Sequence, residues 1–150
     1  MRKQNVRELL VREEKARKQI LSPIFSALGL APGQGRARIL AHLLQRDHIT
    51  QKELADACKL DVTTMSRNLD KLETMGLLSR EANPGCRRSF LICLTEKGRV
   101  EAGKIHNVLD QFDHMICKDI SEDEITLFCN ILNKLCTNLE TLRVDMDTII

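Results

Sequence analysis

Apolar and polar positions in the middle of the chain follow a period that changes from helical to strand-like. From Thr50 to Leu60 the spacing is helical. Thr50 and Glu53 stand as in a reciprocal capping box, and Ile49 and Leu54 as in a hydrophobic staple across it. Leu54, Ala57 and Cys58 are expected on one face, and small Ala55 should let a second helix cross closely. That second helix is predicted from Asp61, a favourable N-cap. Its apolar stripe is Met65, Leu69 and Leu72, and Gly76 stops it at a C′-like position. The period then falls to two. Leu77–Arg80 and Phe90–Leu94 read as short strands, with Asn83-Pro84-Gly85 as the turn between them. Thr50–Gly98 is therefore a predicted helix-turn-helix followed by a β-ribbon wing.

The flanks are helical. Val6, Leu9, Leu10, Ala16 and Ile20 predict a helix over 3–21. Ser22-Pro23 either starts a new helix, Pro23–Leu28, or kinks a single one. Gly29 and the run APGQG read as a loop. A helix over 35–45 follows, with Ile39, Leu40, Leu43 and Leu44 inward; Arg36 and Arg38 point elsewhere, as solvated charges or with Arg38 near a phosphate. Residues 47–49 can add a third strand. After the wing, Thr95 caps a predicted helix from Glu96 to about Lys118, with Ile105, Leu109, Phe112 and Ile116 as its stripe. Ser121 and Glu124 form a second capping box. The last stripe is Ile125, Phe128, Leu132, Leu135, Leu139, Leu142 and Met146, at spacings alternating three and four. Such regularity marks a coiled-coil-type packing seam.

That seam decides the expected architecture. The fold class is mainly α: a winged helix-turn-helix, with a three-helix core and a small β-ribbon wing, over residues 31–98. Residues 1–30 and 99–150 form a helical dimerisation region, interlocked with it in one chain. Pairing those helices with a second copy is favoured over folding them back within one monomer.

On the second helix the face opposite the stripe carries Thr63, Arg67, Asp70 and Lys71, flanked by Thr64, Ser66 and Asn68. A helix in a major groove needs short hydrogen-bonding side chains near its N-terminus and an Arg or Lys that reaches guanine. Thr63, Thr64, Ser66, Arg67, Asn68 and Lys71 are the candidate reading residues, with Arg67 first. The plainer alternative is a solvated face on an ordinary core helix. On the ribbon, Arg87 and Arg88 can enter a narrow minor groove or grip phosphates; the alternative is a solvated hairpin tip. Cys86 lies beside both, and neighbouring cations lower a thiol pKa. It is the candidate redox residue, against a chance surface cysteine.

Composition narrows the partner. Net charge is +2, too small for nonspecific coating of nucleic acid. Residues 1–20 hold seven basic and three acidic side chains, whereas residues 119–150 hold two and seven. There is no Trp or Tyr, so platforms for stacking single-stranded bases are scarce and duplex DNA is favoured. The four Phe (Phe25, Phe90, Phe112, Phe128) fall at expected core positions. The six cysteines form no CxxC pair and no zinc-like spacing with the four histidines, so neither metal nor cofactor is expected. No apolar run approaches the roughly 20 residues of a membrane span, and the charged N-terminus is not a secretory signal. A cytoplasmic protein is expected.

The run TQKELA, the helix closing on LDKLETMGLLSR and the wing RRSFLICLTEKGR together resemble the winged-helix domain of MarR-type transcriptional regulators. The upstream LAPGQGRARIL resembles that family's entry to its second helix, and length and flanking helices fit as well. The family usually places an Asp two residues before the wing arginine that matches Arg88; here that position is Cys86. The resemblance implies a two-fold dimer interlocked through both termini. Such a dimer sets its reading helices about 34–36 Å apart and requires a pseudo-palindromic operator. It also implies a repressor more often than an activator, released by a small anionic or phenolic ligand in a cleft at the first, second and fifth helices. A peroxide-sensing branch uses a cysteine in the N-terminal helix, and this chain has none before Cys58.

The expected function is a sequence-specific, homodimeric regulator of duplex DNA. The rival reading is a protein-interaction module whose C-terminal seam binds a different protein. No phosphate-binding glycine loop, GxSxG or metal-ligand spacing supports an enzyme.

Overall fold

The computed structural model describes residues 4–30, 35–144 and 147. Residues 31–34 of the APGQG run, Lys3 of the expected first helix and Met146 of the last stripe lie outside them. The elements are α1 (Gln4–Ala27), α2 (Arg36–Gln45), β1 (Ile49–Thr50), α3 (Gln51–Cys58), α4 (Val62–Thr74), β2 (Leu78–Ala82), β3 (Phe90–Leu94), α5 (Glu96–Ile116) and α6 (Glu122–Thr141). The chain divides into two compact units, Met1–Leu109 and Asp110–Ile150.

In the first unit α2, α3 and α4 each lend one stripe to a shared core. Ile39, Leu40, Leu43, Leu54, Met65, Leu69 and Leu72 lose all contact with solvent there, joined by Ile92 and Ile105. Burying one such side chain contributes about 1.5–3 kcal/mol. On α3 the inward set is Leu54, Ala55 and Cys58, while Ala57 is exposed. The close-crossing role expected of Ala55 places it inside, and Ala57 falls off the stripe.

The sheet is antiparallel in the order β1-β3-β2. Ile49 opposes Ile92, and Leu78 opposes Leu94, so a short third strand forms, over Ile49–Thr50 rather than 47–49. β2 starts one residue later and ends two residues later than the expected Leu77–Arg80. Leu77 is held back by the end of α4, its N–H bonding to the Leu72 carbonyl at 3.0 Å.

α1 is one continuous helix with Pro23 inside it, the single-helix alternative. Leu9, Leu10 and Ile20 are exposed, whereas Leu21 is buried and Phe25 and Leu28 pack on the core. Two of the four phenylalanines are not core residues: Phe90 is 55 % and Phe128 54 % exposed. α5 ends at Ile116, two residues short of expectation.

The second unit holds the end of α5 and all of α6. The Ser121–Glu124 capping box is complete, with both reciprocal bonds present. At Thr50 only half the box forms: its oxygen accepts the Glu53 N–H, and its hydroxyl donates to the Glu53 carboxylate. α6 buries none of its residues.

Candidate nucleic-acid interface

α4 is fixed at both ends. At its start Asp61 accepts the Thr64 N–H at 2.8 Å and the Thr64 hydroxyl at 2.8 Å. The Thr64 N–H first, then its hydroxyl, hold the Asp61 carboxyl below the usual range. At its end Gly76 adopts φ +75. Its N–H bonds to Glu73 and that of Leu77 to Leu72, the paired bonds of a Schellman stop.

The first turn of α5 then grips the same junction. Thr95 donates its N–H to the Leu77 carbonyl and its hydroxyl to the Gly76 carbonyl, at 3.2 and 2.6 Å. Lys97 donates to the Met75 carbonyl at 3.0 Å. Gly98 allows the approach: a Cβ there would stand 1.8 Å from the Leu77 oxygen. These contacts give the LTEKG sequence its physical meaning.

Of the candidate reading residues, Thr63, Arg67 and Lys71 are exposed, and Thr64 and Ser66 are half-buried. Asn68 departs from expectation: it is 1 % exposed. The reason is periodic. Residues 65, 68, 69 and 72 share one helical face, so Asn68 belongs to the stripe rather than its flank. Its side-chain oxygen accepts a hydrogen bond from Arg36 Nε at 3.2 Å. Arg38 is likewise not a solvated charge only: its guanidinium caps α3, donating to the Cys58 carbonyl at 2.9 Å. α2 thus ties both helices of the helix-turn-helix through two arginines.

The acids on α4 are paired. Arg80 on β2 pairs with Asp70 at 2.8 Å and with Glu73. No ion pair holds Arg67 or Lys71 among the described residues. The outward face of α4 is therefore cationic despite its balanced sequence.

At the wing tip Arg87 and Arg88 are exposed. Asn83 braces the turn, accepting the Gly85 N–H at 3.0 Å and donating to the Ser89 hydroxyl at 2.9 Å. Cys86 is exposed, and its thiol is held below its ordinary value. The cause differs from expectation. The Arg88 backbone N–H acts first and the Ser89 hydroxyl second, rather than the arginine charges.

A cleft of about 410 Å³ opens beside α1 and α2, with Leu109 of α5 on its wall. Leu21, Phe25, Leu30, Ala41 and Leu60 give it an apolar lining, and Arg17, Lys18, Arg36 and Arg38 stand around it with Glu14, which pairs with Lys18.

One cluster was invisible to sequence spacing. Asp47, His48 and Cys93 present ligand atoms within 4.8 Å of one another. The Ile49–Ile92 register brings them together from two distant segments. Cys93 is buried, and desolvation, followed by the charges of Glu81 and Asp47, pushes its thiol up to about 11. No helix among the described residues is long and apolar enough to cross a membrane.

Comparison with known proteins gives a consistent result. Residues 28–89 match the MarR family model. The uncharacterized HTH-type transcriptional regulator YdgJ of Bacillus subtilis is 26 % identical over 110 residues, covering 73 % of this chain and 67 % of that protein. The crystal structure of transcriptional regulator PA3341 is 34 % identical, with a TM-score of 0.78 over 90 % of this chain and 98 % of that one. A MarR family regulator from Listeria monocytogenes, complexed with 26mer DNA, is 29 % identical, with a TM-score of 0.79 over 89 % and 87 % of the two chains.

Proposed function

The chain belongs to the MarR family of DNA-binding transcriptional regulators, which are not enzymes, and from that premise we propose that it represses transcription as a homodimer on a pseudo-palindromic operator. Residues 31–98 read the DNA, and residues 1–30 and 99–150 form the dimer. Thr63, Thr64, Ser66, Arg67 and Lys71 face the major groove, with Arg67 on a guanine edge. Arg87 and Arg88 hold phosphates or enter the adjoining minor groove. The observation that carries this is the outer face of α4, where Arg80 neutralises Asp70 and Glu73 while Arg67 and Lys71 stay outside the ion pairs, together with the two exposed wing arginines. The Listeria relative solved with 26mer DNA supports DNA as the partner.

The exposed face of α6 supports the dimer. Leu127, Phe128, Ile131, Leu135, Leu139 and Leu142 are all exposed on a single chain. A row of that length needs a partner, and a second copy supplies a matching seam. The effector is a small anionic or phenolic molecule. The cleft beside α1 and α2 suits it, with cations at its edge and an apolar lining for a ring. The protein acts in the cytoplasm.

The test is fluorescence anisotropy with the duplex flanking the protein's own gene against a scrambled duplex, across a salt series. Tight, salt-sensitive preference for the native duplex is expected. Arg67→Ala should reduce the preference by about 1–3 kcal/mol. Equal, weak binding to both duplexes, from a chain that is monomeric alone, overturns the reading and favours a protein-interaction module.

A further inference from the structure

The root of the wing brings together four groups that DNA reading does not use. His48 precedes β1, Glu81 lies on β2 and Cys93 on β3. Ser79 opposes Cys93, so Glu81 is a diagonal neighbour of Cys93 on the same face of the sheet. The imidazole sits between two carboxylates. Its Nδ1 is 3.6 Å from an Asp47 oxygen, and its Nε2 is 3.8 Å from a Glu81 oxygen. Ligand atoms bound about 2.0–2.3 Å from a tetrahedral zinc stand roughly 3.3–3.8 Å apart. The Nε2–Glu81 spacing is at the upper end of that edge length, and Cys93 lies with His48 and Asp47 in a group whose ligand atoms are within 4.8 Å of one another.

The two carboxylates differ in what they already hold. Asp47 Oδ1 accepts the backbone N–H of both His48 and Leu94, each at 2.9 Å. Its Oδ2 accepts from Arg99 at 2.7 Å. Asp47 is thus a fixed acceptor, suited to hold the imidazole rather than to leave for a cation. Glu81 is exposed and has His48 as its only ion-pair partner among the described residues.

We propose that His48 Nε2, Glu81 and Cys93 form a binding site for a soft divalent cation of the zinc class at the root of the wing, with Asp47 orienting the imidazole through Nδ1. A mixed sulfur, nitrogen and oxygen donor set is the chemistry zinc favours. On binding, the Cys93 thiol releases its proton to solvent as the sulfur–metal bond forms. His48 binds neutral and keeps Nδ1–H on Asp47, the outer-shell arrangement usual for ligating histidines. Thiolate and carboxylate together cancel the dication's charge. Water takes the fourth position. The cation would clasp all three strands.

The experiment titrates the reduced full-length protein with Co(II), then with Zn(II). One Co(II) per chain is expected, with a near-ultraviolet thiolate-to-cobalt charge-transfer band and intense visible bands of tetrahedral geometry, all abolished by Zn(II). Cys93→Ser should remove the charge-transfer band, and Cys86→Ser should leave it intact. Asp47→Asn should weaken Co(II) binding by about 10–100-fold. His48 is exposed, and Asn tolerates its φ of +55. His48→Asn therefore serves as the folded variant if Cys93→Ser fails to fold, and it should lose at least tenfold in affinity. Absence of one-to-one binding, a band that survives Cys93→Ser, or unchanged affinity in folded His48→Asn overturns the proposal. None of these readouts involves DNA.

Discussion

α4 and α6 carry the same kind of apolar stripe and meet opposite fates. In α4, Met65, Leu69 and Leu72 are wholly buried within the chain. In α6 no residue is buried, and Leu139 is 72 % exposed. Spacing alone does not separate them. What separates them is supply: α2, α3, the sheet and α5 surround α4, whereas α6 has an unmet face. An amphipathic pattern specifies which side of a helix is dry, not which chain dries it.

Several changes break or sharpen that contrast. The largest is Gly98→Ala, which drives a methyl into the Leu77 carbonyl where α4 is anchored. It should cost about 3 kcal/mol or more, read as a lowered urea midpoint. Leu69→Ala empties part of the core and should cost about 2–5 kcal/mol in the same assay. Leu139→Asp should leave most of the far-UV circular dichroism of the chain in place while sedimentation reports a monomer. A Leu139→Asp chain that remains a dimer would remove the contrast. Arg80→Gln releases Asp70 and Glu73 onto the reading side. It should weaken DNA binding on the order of two- to fivefold, or about 0.5–1 kcal/mol, with little change in the urea midpoint.

The smallest effect concerns the thiols. A thiol held below its ordinary pKa carries more thiolate at a given pH, and one raised to about 11 carries almost none near neutrality. Iodoacetamide should therefore label Cys86 before Cys93 as pH rises from 7, followed by mass spectrometry. Under mild peroxide, wild type should lose DNA affinity and Cys86→Ser should keep it, since a sulfenic acid at residue 86 disturbs the braced tip. Equal loss in both proteins removes Cys86 as a redox residue.

Local chemistry was legible in the sequence, and partners across the fold were not. The Thr50, Asp61 and Ser121 caps, the Gly76 stop and the β3 strand each rest on residues within one turn or one period. The continuous α1 through Pro23 was one of two open readings, because a proline inside a helix removes only one N–H. Asn68 was misplaced although the signal was present: it lies three residues after Met65 and four before Leu72, and polarity was given more weight than position. Arg36 and Arg38 read as solvated charges because their acceptors lie on other elements, and the pairing of Arg80 with α4 had no local signal for the same reason. His48 and Cys93 are 45 residues apart in sequence and meet only through strand register. Spacing rules for metal ligands cannot see such a pair.

The junction of α4 with α5 has a mechanical consequence. Three successive carbonyls, of Met75, Gly76 and Leu77, all accept from the first turn of α5. Swinging one element against the other there would break all three bonds at once and press Gly98 into backbone. The joint is a weld, and α4 and the start of α5 move as one lever.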